Sequence, residues 1–143
     1  MPKTAANLED AIILAARAHK GQVDKAGEPY ILHPLHVMLC MKTNTERIVA
    51  VLHDVMEDTD YSDIDLIALG FSPNIVEALK CLSKSDAESY FDYIDRVKTN
   101  KNAKRVKIAD LTHNMDMGRI PEPTREDLAR KEKYIAALKQ INA

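Results

Sequence analysis

The run Ile48-Val49-Ala50-Val51-Leu52 leads directly into His53-Asp54-Val55-Met56-Glu57-Asp58-Thr59. An apolar stretch of this kind, opening at Thr45 and showing no two-residue alternation, reads as a buried helix rather than a strand. The helix carries His53 and Asp54 into the interior or to its edge. An ionised Asp is rarely buried without a partner or a metal. Glu57 follows His53 by one turn and Asp58 follows Asp54 by one turn, so each pair shares a face. Asp54, Glu57 and Asp58 repel one another unless a cation or protons stand between them.

Outward from this stretch the helix signals are dense. Asn7 caps a helix reaching about Lys20, with Leu8, Ala11, Ile12, Ala15 and His19 on one face. A short helix starts near Pro34 and carries Val37, Met38 and Met41. Ser62 with Asp65 forms a capping box for a helix that stops at Gly70. Ser72-Pro73 opens another, striped by Ile75, Val76, Leu79 and Leu82. Ser89 opens a helix to about Thr99, with Tyr93 facing the core. Asn102 opens one through Val106 and Asp110 to about Asp116. Thr124 with Asp127 opens the last, with Leu128, Ile135, Leu138 and Ile141 as its apolar positions. The expected fold is all-α, a helical bundle of about eight helices. With no repeat and no dividing linker, residues 1–143 are read as a single domain.

Polar residues recur on inner faces elsewhere. Asp110 lies one turn after Val106, and Asn114 one turn after Asp110. His33 precedes Pro34 at the start of the short helix. His33, His53, Asp54 and Asp110 therefore form a candidate set of two histidines and two carboxylates. Such a set suits Mn²⁺, Fe²⁺ or Zn²⁺. A bound ion would acidify a water and stabilise charge on phosphorus, with Glu57 or Asp58 moving a proton. Read singly, each residue has a structural alternative. His53 and Asp54 can be a hydrogen-bonded pair, His33 can cap a helix, and Asp110 can pair with a buried Lys or Arg.

Composition narrows the function classes. The 143 residues are 45% hydrophobic, enough for a full core. Twenty basic against 22 acidic side chains give a formal net charge of -2, which argues against coating nucleic acid through bulk charge. Trp is absent, so base-stacking platforms are not expected. The longest apolar run noted, Ala11 to Ala16, is far short of the roughly 20 residues that span a bilayer. Met1-Pro2-Lys3 opens no signal peptide. Cys40 and Cys81 read as buried, reduced thiols. These features lead to an expected cytoplasmic location, with neither nucleic acid nor membrane as partner.

Several segments together resemble one family. They are Ala18-His19-Lys20-Gly21-Gln22, Gly27-Glu28-Pro29-Tyr30-Ile31-Leu32-His33-Pro34, Leu52 to Thr59, and Val106-Lys107-Ile108-Ala109-Asp110-Leu111-Thr112-His113-Asn114-Met115. In this order they resemble the HD-domain hydrolases, especially the (p)ppGpp hydrolase domain of the RelA/SpoT proteins and its small stand-alone versions. The resemblance covers roughly residues 7 to 116. It implies an HD-domain helical bundle with one divalent metal, usually Mn²⁺, held by His33, His53, Asp54 and Asp110. Glu57 and Asp58 match the acidic pair associated with water activation and proton transfer. Asn114 matches a nucleotide contact, and Ser83-Lys84 resembles a Thr-Lys that follows the fifth helix in the family. The implied reaction is removal of the 3′-pyrophosphate from guanosine tetra- or pentaphosphate.

Two positions depart from the family. Asp24 stands where a basic residue usually packs on the guanine, leaving Lys25 as the local cation, and a change from Arg to Asp reverses charge and removes a planar group. Leu111-Thr112 replaces a basic-Leu pair. The expected substrate is a phosphorylated nucleotide, first a ppGpp-like one and otherwise another phosphorylated small molecule. A nucleotide-binding sensor without turnover is the third reading. Lys25, Lys84, Arg96, Lys104, Arg105 and Lys107 are candidate phosphate contacts or solvated surface charges. His113 is expected to support the site rather than bind metal. The terminal helices can pack within the chain or across a homodimer.

Overall fold

Side-chain caps set most of the helix starts. The asparagines, serines and threonines at Asn7, Thr43, Ser62, Ser72, Ser89, Asn100 and Thr124 each accept a backbone N–H from the first turn. At Asn7, Ser62 and Thr124 an Asp three residues on returns a second bond, closing a capping box. The computed structural model describes residues 5–116, 120 and 122–143. Among them the helices are α1 Leu8–Ala18, α2 Leu32–Leu39, α3 Asn44–Leu52, α4 Val55–Asp58, α5 Asp63–Ala68, α6 Pro73–Leu82, α7 Tyr90–Lys98, α8 Lys101–Asn114 and α9 Arg125–Ile141. Extended pairing among the described residues is limited to the isolated bridge between Val23 and Pro29. No described helix is long and apolar enough to cross a membrane. Gly118 and Pro121, expected in loops, and Met1-Pro2-Lys3 lie outside the described residues.

α3 is the central element. It packs against α1, α2, α6 and α8. Val49, Ala50, Val51 and Leu52 are fully buried. Burying a Leu such as Leu52 contributes about 1.5–3 kcal/mol relative to leaving it exposed. α8 also meets α2, α6, α7 and α9. The ends of α3 and α8 and the start of α2 thus converge on one region.

The structure departs from the sequence reading in three places. The helix expected to run through His53 stops at Leu52, and α4 begins at Val55. The His53 ring causes the break. His53 Nδ1 lies 2.5 Å from the Ala50 carbonyl oxygen, which also accepts the His53 backbone N–H at 3.3 Å. A side chain inserted into the backbone ladder is a known origin of such breaks. The second departure is Cys40, which is exposed at the end of α2, while Cys81 is half-buried; both thiols are free. The third is α9. Leu128 and Ile135 are exposed, while Ile141 is buried as expected, joined by Ala137 and Asp127. Asp127, bonded to Thr124 in the capping box, is buried, and Leu128 beside it is exposed.

Candidate metal and phosphate site

His33 stands in the first turn of α2, His53 caps α3, Asp54 opens α4, and Asp110 sits near the end of α8. The structure brings these four residues together. His33 Nε2 lies 2.7 Å from Asp110 Oδ1. His53 Nε2 lies 3.0 Å from Asp54 Oδ2 and 3.3 Å from Asp110 Oδ1. Ligand-capable atoms of His33, His53 and Asp54 all fall within 4.8 Å of one another. His33, His53 and Asp110 are buried, and Asp54 is partly so.

One atom tests whether this set fits an ion. With Nδ1 held on the Ala50 carbonyl, His53 turns Nε2 toward the two carboxylates. Nε2 lies within ion-pair distance of both, yet makes a well-aligned hydrogen bond with neither. A buried polar atom in this state is rare and calls for a reason. A divalent cation between His53, His33 and the carboxylates supplies one, and imidazole with carboxylate is a suitable donor set. The charges agree. Burial disfavours the imidazolium, but Asp54 and Asp110 outweigh it and hold His53 well above the usual histidine range. The site therefore attracts positive charge to Nε2.

The surrounding groups orient the carboxylates. Burial pushes the Asp110 carboxyl up, but Lys107 and His53 hold it well below the ordinary range. Lys107 Nζ bonds Asp110 Oδ2 at 3.0 Å, so Oδ1 is the oxygen that faces the histidines. Asn114 Nδ2 donates to the same Oδ1 at 3.1 Å. Tyr30 donates its hydroxyl to Asp54 Oδ2. Burial and the Asp54 charge push the Tyr30 hydroxyl far above its usual range, so it remains a donor.

Glu57 and Asp58 lie on α4, one turn beyond the His53-Asp54 corner, and both are exposed. Glu57 Oε1 accepts the Lys84 backbone N–H at 2.8 Å. Partial burial, then Asp54 and Glu57, raise the Asp58 carboxyl above its ordinary range. Asp58 therefore holds a proton more readily than a free aspartate does.

A cavity of about 400 Å³ adjoins the cluster. Tyr30 and Asn114 form part of its wall, with Asp24, Lys25, Arg130 and Tyr134. Lys25 Nζ and Arg130 Nη2 converge on Asp127 Oδ1, the former at 2.9 Å. Asp24 Oδ1 accepts the backbone N–H groups of Ala26 at 2.8 Å and Glu28 at 3.0 Å. It orders its own turn.

The cations expected at phosphate separate here. Lys25 lines the cavity. Lys84 meets the site through its backbone N–H, while its ammonium turns back to the Ser85 carbonyl at 3.0 Å. Arg96 is structural: it donates to the carbonyls of Cys81 at 3.0 Å and Ser83 at 2.8 Å, at the end of α6. Arg105 pairs with the buried Glu46 at 3.0 Å. Lys107 pairs with Asp110, as a buried structural partner would. Sequence reasoning missed Arg130 and Tyr134. Their i, i+4 spacing on one face of α9 is the only signal they carry, and it is a common one.

The chain belongs to a known family. The HD domain model matches residues 11–138. The chain is 34% identical over 140 residues to the bifunctional (p)ppGpp synthase/hydrolase SpoT of Escherichia coli K12, covering 87% of this chain. It is 30% identical over 146 residues to a guanosine-3′,5′-bis(diphosphate) 3′-pyrophosphohydrolase of Vibrio cholerae, covering 91% of this chain. The chain spans only 20% and 21% of the lengths of these two relatives. A solved structure of a metazoan ortholog of SpoT that hydrolyses ppGpp superposes with a TM-score of 0.77 at 24% identity. That match covers 99% of this chain and 86% of the other, and establishes the shared helical fold.

Proposed function

We propose that this HD-domain protein is a metal-dependent phosphohydrolase of a phosphorylated nucleotide. The first substrate is guanosine 3′,5′-bis(diphosphate), hydrolysed at its 3′-pyrophosphate. The observation that carries the reading is His53 Nε2, buried between two carboxylates at 3.0 and 3.3 Å with a well-aligned hydrogen bond to neither. The names of the relatives support the substrate class.

His33, His53, Asp54 and Asp110 would hold the ion, and Mn²⁺ is the proposed one. When bound, such an ion supplies Lewis acidity toward water and a phosphate oxygen. The chain's own residues do the rest. Asn114 and Tyr30 orient Asp110 and Asp54 by donating to them. Lys25 and Arg130, at the cavity wall, offer positive charge to phosphate. Glu57 accepts a proton from the attacking water. Asp58, whose proton affinity is raised, donates one to the departing pyrophosphate oxygen. The protein is proposed to act in the cytoplasm as one domain, with the homodimer a matter for solution measurement.

The test is pyrophosphate release from ppGpp by Mn²⁺-loaded protein, with the H53A/D54A protein as control. Release by the parent alone supports the reading. No release from protein shown to hold its ion rejects ppGpp. One observation favours a second reading, another phosphorylated nucleotide: the Asp24 carboxylate orders its own loop and offers no planar cation to a guanine. A nucleotide panel with the same loaded protein separates the two. Binding without turnover across that panel would indicate a sensor.

A further inference from the structure

His33 has a second nitrogen, and its partner is a third histidine. His33 Nδ1 lies 2.7 Å from His113 Nδ1. The ring planes differ by only 6°, and the centroids are 5.0 Å apart. Stacked faces cannot approach below about 3.5 Å. A 2.7 Å contact between parallel rings therefore means that they lie edge to edge in nearly one plane. The exposed His36, one turn after His33, lies flat on the His113 ring, with centroids 3.8 Å apart and planes 15° apart. His113 is thus held on its edge by His33 and on its face by His36.

We propose that His113 is a positioning residue for the metal site, setting the His33 tautomer that leaves Nε2 open to an ion. This inference rests on the assignment of His33 as a ligand. In the structure His33 Nε2 faces Asp110 Oδ1, and an ionised carboxylate only accepts, so the proton sits on Nε2. With one proton on each ring, His33 Nδ1 then accepts from His113 Nδ1. An ion on Nε2 requires the remaining proton on Nδ1, and that N–H must find an acceptor. His113 Nδ1 is that acceptor, already in line. The Nδ1–Nδ1 bond reverses direction between the two states: the His33 Nε2 proton leaves to solvent as the ion binds, the His113 proton passes to His33 Nδ1, and His113 takes a proton from solvent on Nε2. Outer partners of this kind fix the orientation and basicity of a ligating imidazole.

The test measures Mn²⁺ and Zn²⁺ affinity of H113F and H113N by titration, beside the parent, H53A and D110A. Thermal unfolding checks that each is folded. Phenylalanine keeps a ring against His36 but removes the acceptor, while asparagine can place an oxygen near Nδ1. H113F should bind either ion about 10–100-fold more weakly, and H113N should recover most of the loss. Nitrogen NMR of the Zn²⁺-loaded parent should show the His33 proton on Nδ1. Parent-like affinity in H113F, or a His33 proton on Nε2 in loaded protein, overturns the proposal. If H113F does not fold, H113N and the NMR measurement still decide it. If H53A and D110A bind as the parent does, the ligand set fails. If they lose the ion and H113F does not, only the role of His113 fails.

Discussion

Lys107 holds Asp110 Oδ2 at 3.0 Å from one turn earlier on α8, leaving Oδ1 to the histidines. The Lys107 side chain is 14% exposed and also lies over the Tyr93 ring, 5.2 Å from its centroid. It is a half-buried cation committed to one oxygen. Removing it takes the lysine from a buried carboxylate and leaves Oδ2 without its ammonium. K107M should lower the stability of metal-free protein by about 3–5 kcal/mol. Added Mn²⁺ should restore part of the loss, because the ion also neutralises Asp110. Chemical denaturation with and without ion checks both statements.

An ion at this site should stabilise the fold. At a hundredfold excess over its dissociation constant it adds about 2.7 kcal/mol. Thermal unfolding of the parent should therefore shift upward with Mn²⁺ and return with chelator. H53A should not shift. An equal shift in H53A would place the ion elsewhere.

Arg96 ties the end of α6 to the loop before α7. It reaches the Cys81 and Ser83 carbonyls and pairs with Glu88 at 2.8 Å. R96A should cost about 1–2 kcal/mol through those carbonyl bonds, read by urea midpoint. R96K, without the planar fork, should recover only part.

The hydrogen bond from Arg96 holds the Glu88 carboxyl down to about 2, from an ordinary 4.5. A depressed carboxyl stabilises the fold above its unfolded value, and that contribution fades as pH falls toward 2. Between about pH 4.5 and 2, E88Q should lose stability with acid less steeply than the parent. Unfolding midpoints across that range check the sign. Equal slopes would count against it.

The Asp24 turn should tolerate little change of charge. D24N keeps an acceptor for the Ala26 and Glu28 N–H groups, and D24R does not. Gly27 in the same turn has φ of +84°, so G27A should cost about 1–2 kcal/mol. If the loop selects the base, D24R should raise guanine-nucleotide turnover relative to D24N, despite its looser turn. Turnover of a guanine and an adenine substrate by both variants decides it.

Local signals made the helices readable. Capping pairs such as Ser62 with Asp65 and Thr124 with Asp127 act over three residues, and the chain obeys them. The break after Leu52 was not readable, because apolar spacing continues through it. The competing bond is made by a side chain, and spacing does not record that. The polar set on inner faces was visible as an anomaly of burial at His33, His53, Asp54 and Asp110. Their convergence was not, since it depends on how α2, α3 and α8 cross. Arg130 and Tyr134 stayed hidden because α9 carries no motif and its inward face is set by a buried Asp127.

The corner at His53-Asp54 divides labour between neighbouring residues. His53 belongs to the rigid core through the Ala50 carbonyl. Asp54 travels with Glu57 and Asp58 on α4, whose first turn is closed by the Asp58 N–H on the Asp54 carbonyl at 2.9 Å. A single backbone turn therefore sets the spacing between Asp54, proposed to face the ion, and Glu57 and Asp58, proposed to move protons. One residue inserted between 54 and 58 would change reach and timing together while sparing the core beneath. The short helix is a ruler, and its length is part of the proposed chemistry.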